Sequence, residues 1–179
     1  MHFLHTLRKM FVVLVPLLLC VDAPLLSARE EKGNDRVVEF SEQHLGQKVG
    51  NGECTTLASQ ALDYAGFKGS SGNFPNHGDY VWGRLVFMIE GTETQPTEQG
   101  KIEWIKPGDI VQFRNVLFQS KRGFVKDAHH TAVVKSVDGD KQVLTVLHQN
   151  FSGKKVTENK FDLKNLKKGW LRVYEPIPK

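Results

Sequence analysis

Two periodicities divide this chain, and the point where one replaces the other limits what it can fold into. Cys54, Leu57, Ala58, Ala61, Leu62 and Ala65 recur at helical spacing on one face, with Gly66 placed to stop them. After Gly100 the apolar signal reads instead as strands: Ile102 to Ile105, Ile110 to Phe113, His130 to Val137, Val143 to Asn150, Val156 to Phe161 and Trp170 to Tyr174. Lys106-Pro107-Gly108-Asp109 and Asp138-Gly139-Asp140 mark turns between them. Helices first and antiparallel strands afterwards predict an α+β fold, with helices packed on a bent or half-barrel sheet of five or six strands ending in a meander. The alanine-rich face is narrow, which suits a helix lying close on a sheet.

Asn34-Asp35 can cap an earlier helix running to about Leu45, with Val37, Val38, Phe40 and Leu45 on its apolar side and Gly46 to end it. Gly46 to Glu53 is turn-rich. Lys68 to Gly100 reads as a long irregular loop whose one apolar island, Tyr80 to Val86, is a short helix or strand; loops this long are usually functional or mobile.

The first 28 residues read as a signal segment rather than part of the fold. His2 to Lys9 is basic, and Phe11 to Val21 is apolar but short for a bilayer span. Small residues at Ala23, Ser27 and Ala28 follow; Pro24 disfavours a cut after Ala23, so cleavage is expected after Ala28. Cys20 has no small residue just before it, which argues against a lipoprotein anchor; a retained N-terminal anchor is the alternative. The remaining 29–179 suits one domain with one core, without internal repeat or linker. Its charge is about +3 of the chain's +4, much of it late, in Lys154-Lys155, Lys160 and Lys164 to Lys168. That is a solvated face, or one mildly attracted to an anionic wall, glycan or lipid surface. No interleaving of aromatic and basic residues suggests nucleic acid.

With Cys20 removed, Cys54 has no intramolecular disulfide partner, so it serves packing or chemistry. A thiol at a helix N-terminus meets free backbone N–H groups and the positive end of the helix dipole, which favour the thiolate and can hold an oxyanion. An imidazole can take the thiol proton, and a third polar group can fix its tautomer. Alternation puts His130, Ala132 and Val134 on one strand face, and His148 and Asn150 on one face with Leu144 and Val146. The Asp-Gly turn makes these strands neighbours, so one ring nitrogen of His130 can reach His148 or Asn150 while the other faces Cys54.

Taken singly, each residue has a plainer reading: Cys54 as a small core hydrophobe, His130 as a surface or satisfied core histidine, Asn150 as a strand-end residue. Asn150-Phe151-Ser152 is also a glycosylation sequon. His129 is turned away by parity, and His44 and His77 carry no assignment. The spacing of His129, His130 and His148 matches no standard zinc pattern, so no metal and no cofactor is expected.

Gly50-Asn51-Gly52-Glu53-Cys54, Pro107 to Phe113, His130-Thr131-Ala132-Val133-Val134 and Gln149-Asn150 together resemble the CHAP domains, in a superfamily that includes the NlpC-type cell-wall peptidases. Val49 to Ala58, Tyr80 to Arg84 and the His-Thr-Ala-Val-Val strand resemble more narrowly the cysteine-proteinase-fold domain that ends some fungal myosin-interacting SH3 proteins. The likeness spans about Val37 to Tyr174. It implies a papain-like fold, Cys54 as nucleophile and His130 as general base. The position two before the final asparagine is acidic in many CHAP enzymes and is His148 here, a residue type that NlpC-type sites do use. The orienting residue stays open between His148 and Asn150; an amide that does not titrate favours Asn150. Gln47 stands where a papain-like oxyanion donor sits.

The resulting expectation is a secreted or periplasmic, monomeric cysteine hydrolase cleaving an amide in a peptide or cell-wall glycopeptide. It needs no nucleic acid and no stable membrane insertion once the signal is cut. The alternative is a non-catalytic binding or structural module on the same fold.

Overall fold

The computed structural model describes residues 22–71, 79–92, 94–121 and 123–179, with side chains described from Lys32 onward. Most of the expected signal segment, Cys20 included, and His77 lie outside the described residues. Two helices, α1 (Asp22–Gln43) and α2 (Cys54–Ala65), precede seven strands: β1 (Arg84–Glu90), β2 (Thr97–Gly100), β3 (Ile110–Ser120), β4 (Gly123–Asp138), β5 (Val143–His148), β6 (Thr157–Asp162) and β7 (Leu166–Glu175). They form one antiparallel sheet in the order β2-β1-β7-β3-β4-β5-β6. The fold is α+β, as the order of periodicities dictates.

The helix over Cys54–Ala65 has the bounds its spacing predicts, and Gly66 ends it at φ 83°, a left-handed cap in which the Gly66 N–H reaches Asp63 O and Leu62 O. Its apolar stripe is Leu57, Ala58, Ala61 and Leu62, each at most 1% exposed. Ala58, Ala61 and Leu62 meet Ile110, Val133 and Leu147 of the sheet. Burying Leu57 and Leu62 contributes roughly 2 kcal/mol apiece relative to exposure. Alanines let the axis approach the strands; Ala61→Leu would overpack this contact at a cost of about 1–3 kcal/mol.

The other face of the sheet carries a second cluster, including Val111, Phe113, Ala132, Val134, Leu144, Val146 and Phe161. Alternation along β3, β4 and β5 therefore sorts residues cleanly. Ile110, Gln112, Thr131, Val133 and Leu147 turn to α2; Phe113, His130, Ala132, Val146 and His148 turn away from it.

Four sequence expectations are corrected. Asn34 and Asp35 lie inside α1 rather than capping it, because Arg29-Glu30-Glu31-Lys32 is a good helix former with no breaker in it. Asn34 is buried on the β3 turn, where a Cβ at Gly108 would lie 2.5 Å from Asn34 O and φ is 87°. Ile102–Trp104 is a 3-10 turn and not a strand: Ile102 and Ile105, three apart, are buried, while Glu103 and Trp104 are exposed. Lys68–Gly100 holds the β1–β2 hairpin, which raises the strand count to seven. Finally, β7 enters between β1 and β3 instead of closing a meander beside β6.

Candidate active site

The glycine-rich approach to α2 is fixed by one buried side chain, Gln149. Its Nε2 donates to Val49 O at 3.0 Å and Glu53 O at 2.8 Å, and its Oε1 accepts from Val49 N at 3.0 Å. Asn51 Oδ1 accepts from Glu53 N at 3.0 Å and Thr56 Oγ1 at 2.6 Å. Glu53 makes no side-chain cap to α2. Its carboxylate instead takes Asn150 Nδ2 at 2.6 Å and pairs with Lys154.

Cys54, the first residue of α2, is 8% exposed. It meets β4 where the β5 pairing gives out. Val134 exchanges its backbone bonds with the β3 side, at Asp109 O and Gly108 N. Alternation then points the Thr131 N–H the other way, beyond the last β4–β5 partners, Val133 and Leu147. There the Thr131 amide and hydroxyl and the Thr55 amide face the sulfur. Burial pushes the Cys54 thiol up, outweighing the Thr131 and Thr55 amides that favour the thiolate. The Thr131 hydroxyl hydrogen is committed elsewhere: Oγ1 donates to Gln112 Oε1 at 2.9 Å. That oxygen also accepts from Trp82 Nε1 at 3.1 Å, and Gln112 Nε2 donates to His130 O at 2.9 Å. The Thr131 side chain, beside the sulfur, works with the two amides against burial, while Asp127 works with burial.

His130 is on the face turned away from α2. Its ring packs on Phe113, Phe151 and His148, and Nε2 lies 2.8 Å from His148 Nδ1. His130 Nδ1 is 3.8 Å from Asp127 Oδ2. Asn115, at φ 49°, interrupts the alternation of β3, so Val116 and, opposite it, Asp127 return to this face. Both rings are sealed: His148 is 0% and His130 2% exposed, with Phe151 and Phe161 against His148. Burial drives His130 down to about 4, aided by His129, and His148 to about 3, aided by His130 and opposed by Asp127. Both imidazoles are neutral at pH 7.

The His130–His148 hydrogen bond allows two tautomer pairs. In one, His130 carries its hydrogen on Nδ1, towards the Asp127 carboxylate at 3.8 Å, an electrostatic contact longer than a hydrogen bond. His130 Nε2 then accepts from His148 Nδ1, and His148 Nε2 keeps only a lone pair. His148 Nε2 is buried without a hydrogen-bond partner among the described residues, and a bare lone pair is the cheaper group to leave there. A base at His130 Nδ1 needs the reverse: Nε2–H donating to His148 Nδ1, and a hydrogen on His148 Nε2. That buries an unsatisfied N–H, a cost of about 1–3 kcal/mol.

The structure thus brings His130 and His148 together, and seats Asn150 elsewhere, at φ 63° on Glu53. Gln47 Nε2 donates to Gln43 O at the end of α1, at 3.3 Å. His129 Nε2 lies 3.7 Å from Asp79 Oδ1, and its ring is near Tyr80. The sequence assigns no role to Gln149, Gln112 or Asp127, although the first two stand in its motifs. The usable signal for Gln149 and Gln112 was polar residues at positions parity assigns to a buried face. Among the described residues no cluster of metal-ligating side chains occurs. No helix of the described residues is long and apolar enough to cross a membrane.

A family model described as the AIM3/BBC1 Cysteine proteinase-fold domain matches residues 20–179. The chain is similar to Altered inheritance of mitochondria protein 3 of Debaryomyces hansenii, 32% identical over 161 residues that cover 86% of this chain. It spans only 17% of that relative's length. A solved structure, the X-ray crystal structure of PlyC, aligns at a TM-score of 0.49 and 14% identity, over 90% of this chain and 42% of that one.

Proposed function

This chain belongs to the AIM3/BBC1 cysteine proteinase-fold domain family, which carries the papain-like fold, and we propose that it uses that fold as a non-catalytic binding module. The carrying observation is the protonation pattern around Cys54. Its thiol is raised by burial and lies beside Thr131, and the candidate base, His130, is held neutral by burial and hydrogen-bonded to His148. An ion pair of thiolate and imidazolium would need a far more basic His130 and a far more acidic Cys54.

The test is thiol chemistry against turnover. Iodoacetamide should label Cys54 more slowly than free cysteine at pH 7 and speed up only above pH 9. Peptide and muropeptide amides should survive incubation with the protein. A labelling rate that plateaus below pH 7, or amide cleavage abolished by Cys54→Ala, would overturn this reading.

A second reading, a secreted cysteine hydrolase of peptide or peptidoglycan amides, is favoured by one observation. Cys54 heads α2, and His130 Nε2 is held by a histidine on the neighbouring strand, the order of a cysteine, base and orienting residue. Removal of residues 1–28 by a signal peptidase accompanies that reading, and intact mass of the exported chain should then place its first residue at Arg29.

A further inference from the structure

The end of the molecule built from the β3–β4 hairpin differs from the Cys54 region in being open. Phe124 is 73% exposed, the most exposed large hydrophobic side chain among the described residues. It lines a cleft of about 340 Å³ between the hairpin and β6, with Phe118, Val125, Lys160 and Phe161 among the other walls. A second cleft, of about 670 Å³, shares Gln119, Ser120 and Asn165 with the first and adds Lys121, Lys167 and Lys168. The two adjoin in a trough that wraps the hairpin tip, the first cleft on the Phe118 face of β3 and the second on the Leu117 face. Its floor at the β6 side is aromatic, with the Phe118 and Phe161 rings 5.1 Å apart.

One wall of the trough is a sheet edge. β6 is the last strand in the order, and its alternate residues turn N–H and C=O groups outward. The rim is basic. Lys121, Lys160, Lys167 and Lys168 form no ion pair with any described residue. The one acidic residue lining the trough, Asp162, is occupied by Lys164 N at 3.0 Å and Asn165 Nδ2 at 3.1 Å.

We propose that this trough binds an acidic, extended peptide segment of a partner protein, which adds as a strand to β6 and sets an apolar side chain against Phe124, Phe118 and Phe161. A strand edge supplies main-chain bonds, the aromatic floor an anchor, and the lysines the charge selection. A flat anionic membrane would satisfy the lysines but leave the strand edge unused. The proposal names the partner of the binding-module reading and rests on it, while the trough itself is remote from Cys54.

The probe is a fluorescein-labelled twelve-residue peptide rich in Asp and Glu with a central Phe, followed by anisotropy at 50 and 300 mM salt. Micromolar binding is expected, falling at least tenfold in the Lys121→Glu/Lys160→Glu protein, at least fivefold in Phe124→Ser, and at high salt. The same peptide with Lys for its acids should not bind. These residues are exposed at the surface, and thermal melts check that the variants fold. Absent binding, or binding that the variants leave unchanged, overturns the trough. Binding to phosphatidylserine vesicles with none to the peptide also overturns it, in favour of a membrane surface. Mass spectrometry of the recovered peptide separates the two claims. An intact peptide with lost binding in the variants supports both, and a cleaved peptide overturns the non-catalytic reading whatever the trough does.

Discussion

Strands β3 and β4 serve two ends of this molecule with opposite chemistry. At one end Gln112, Thr131, His130 and His148 are buried and engage one another, down to the carbonyl of His130. Near Phe124 the same two strands project with an aromatic ring in solvent and lysines without ion-pair partners among the described residues. Under the binding-module proposal this difference separates inheritance from use: the Cys54 end spends its hydrogen bonds internally, and the hairpin end keeps its bonding capacity for a partner.

The largest expected break in this contrast is at Gln149. Gln149→Ala removes three hydrogen bonds and leaves the Val49 N–H and C=O buried. A loss of about 4 kcal/mol is expected in a denaturant titration, with faster alkylation of Cys54 as its loop loosens. A loss under about 1 kcal/mol would show that the Cys54 end is not locked.

Acid should act next. Both histidines have folded pKa values below the ordinary 6.5, at about 4 and about 3, so the unfolded chain binds more protons in between. Stability is fully present above pH 6.5 and is lost as pH falls from there toward 4. A drop of order 3 kcal/mol is expected between pH 7 and pH 5, and His130→Phe/His148→Phe should flatten it. Because apolar rings of similar shape replace both partners, that variant should remain folded at pH 7.

Asp109, at the far end of the β3 segment under α1, titrates with the opposite sign. Burial pushes its carboxyl up to about 7, with Lys106 N donating to Oδ2 and Asn34 contributing a further bond. The fold therefore favours the protonated acid. Its contribution is complete below pH 3.8 and is lost as pH rises through 7. Asp109→Asn should leave stability at pH 4 unchanged and raise it by about 2 kcal/mol at pH 8, read from melting curves across that range. Equal melting curves at pH 8 would mean that the acid is better solvated than its burial implies.

What the sequence disclosed follows from where side chains speak for their surroundings. The helix at Cys54–Ala65 and the juxtaposition of His130 with His148 were legible because a period and a tight Asp-Gly turn fix which face each residue takes. The neighbour of His130 was legible only as a choice between His148 and Asn150, and the structure seats Asn150 on Glu53 because a left-handed backbone at φ 63° takes it off the strand. β2 could not be read, since Thr97 to Gly100 is exposed throughout and has no alternation to show. The place of β7 between β1 and β3 depends on pairing across the whole chain, which no local pattern carries. Parity marks Gln149 and Gln112 as polar residues on a buried face, but their partners lie far along the chain and no local pattern names them.

The smallest expected effect sharpens the contrast best. Glu53 is the residue just before Cys54, and its carboxylate holds both Asn150 and Lys154. Glu53 and Lys154 are each about half exposed (44% and 50%), so the pair is screened by solvent and salt. Glu53→Gln keeps an acceptor for Asn150 and removes only the charge. The change in stability should stay below about 0.5 kcal/mol and vanish at high salt, with the alkylation rate of Cys54 unchanged. The reason is that Gln149 grips the backbone of this loop at Val49 and Glu53, whatever the Glu53 side chain does. If Glu53→Gln instead accelerated labelling of Cys54 several-fold, the loop would be held from its solvent side. The Cys54 end would then be a gate that charge can open, and its contrast with the open trough would be one of state rather than of construction.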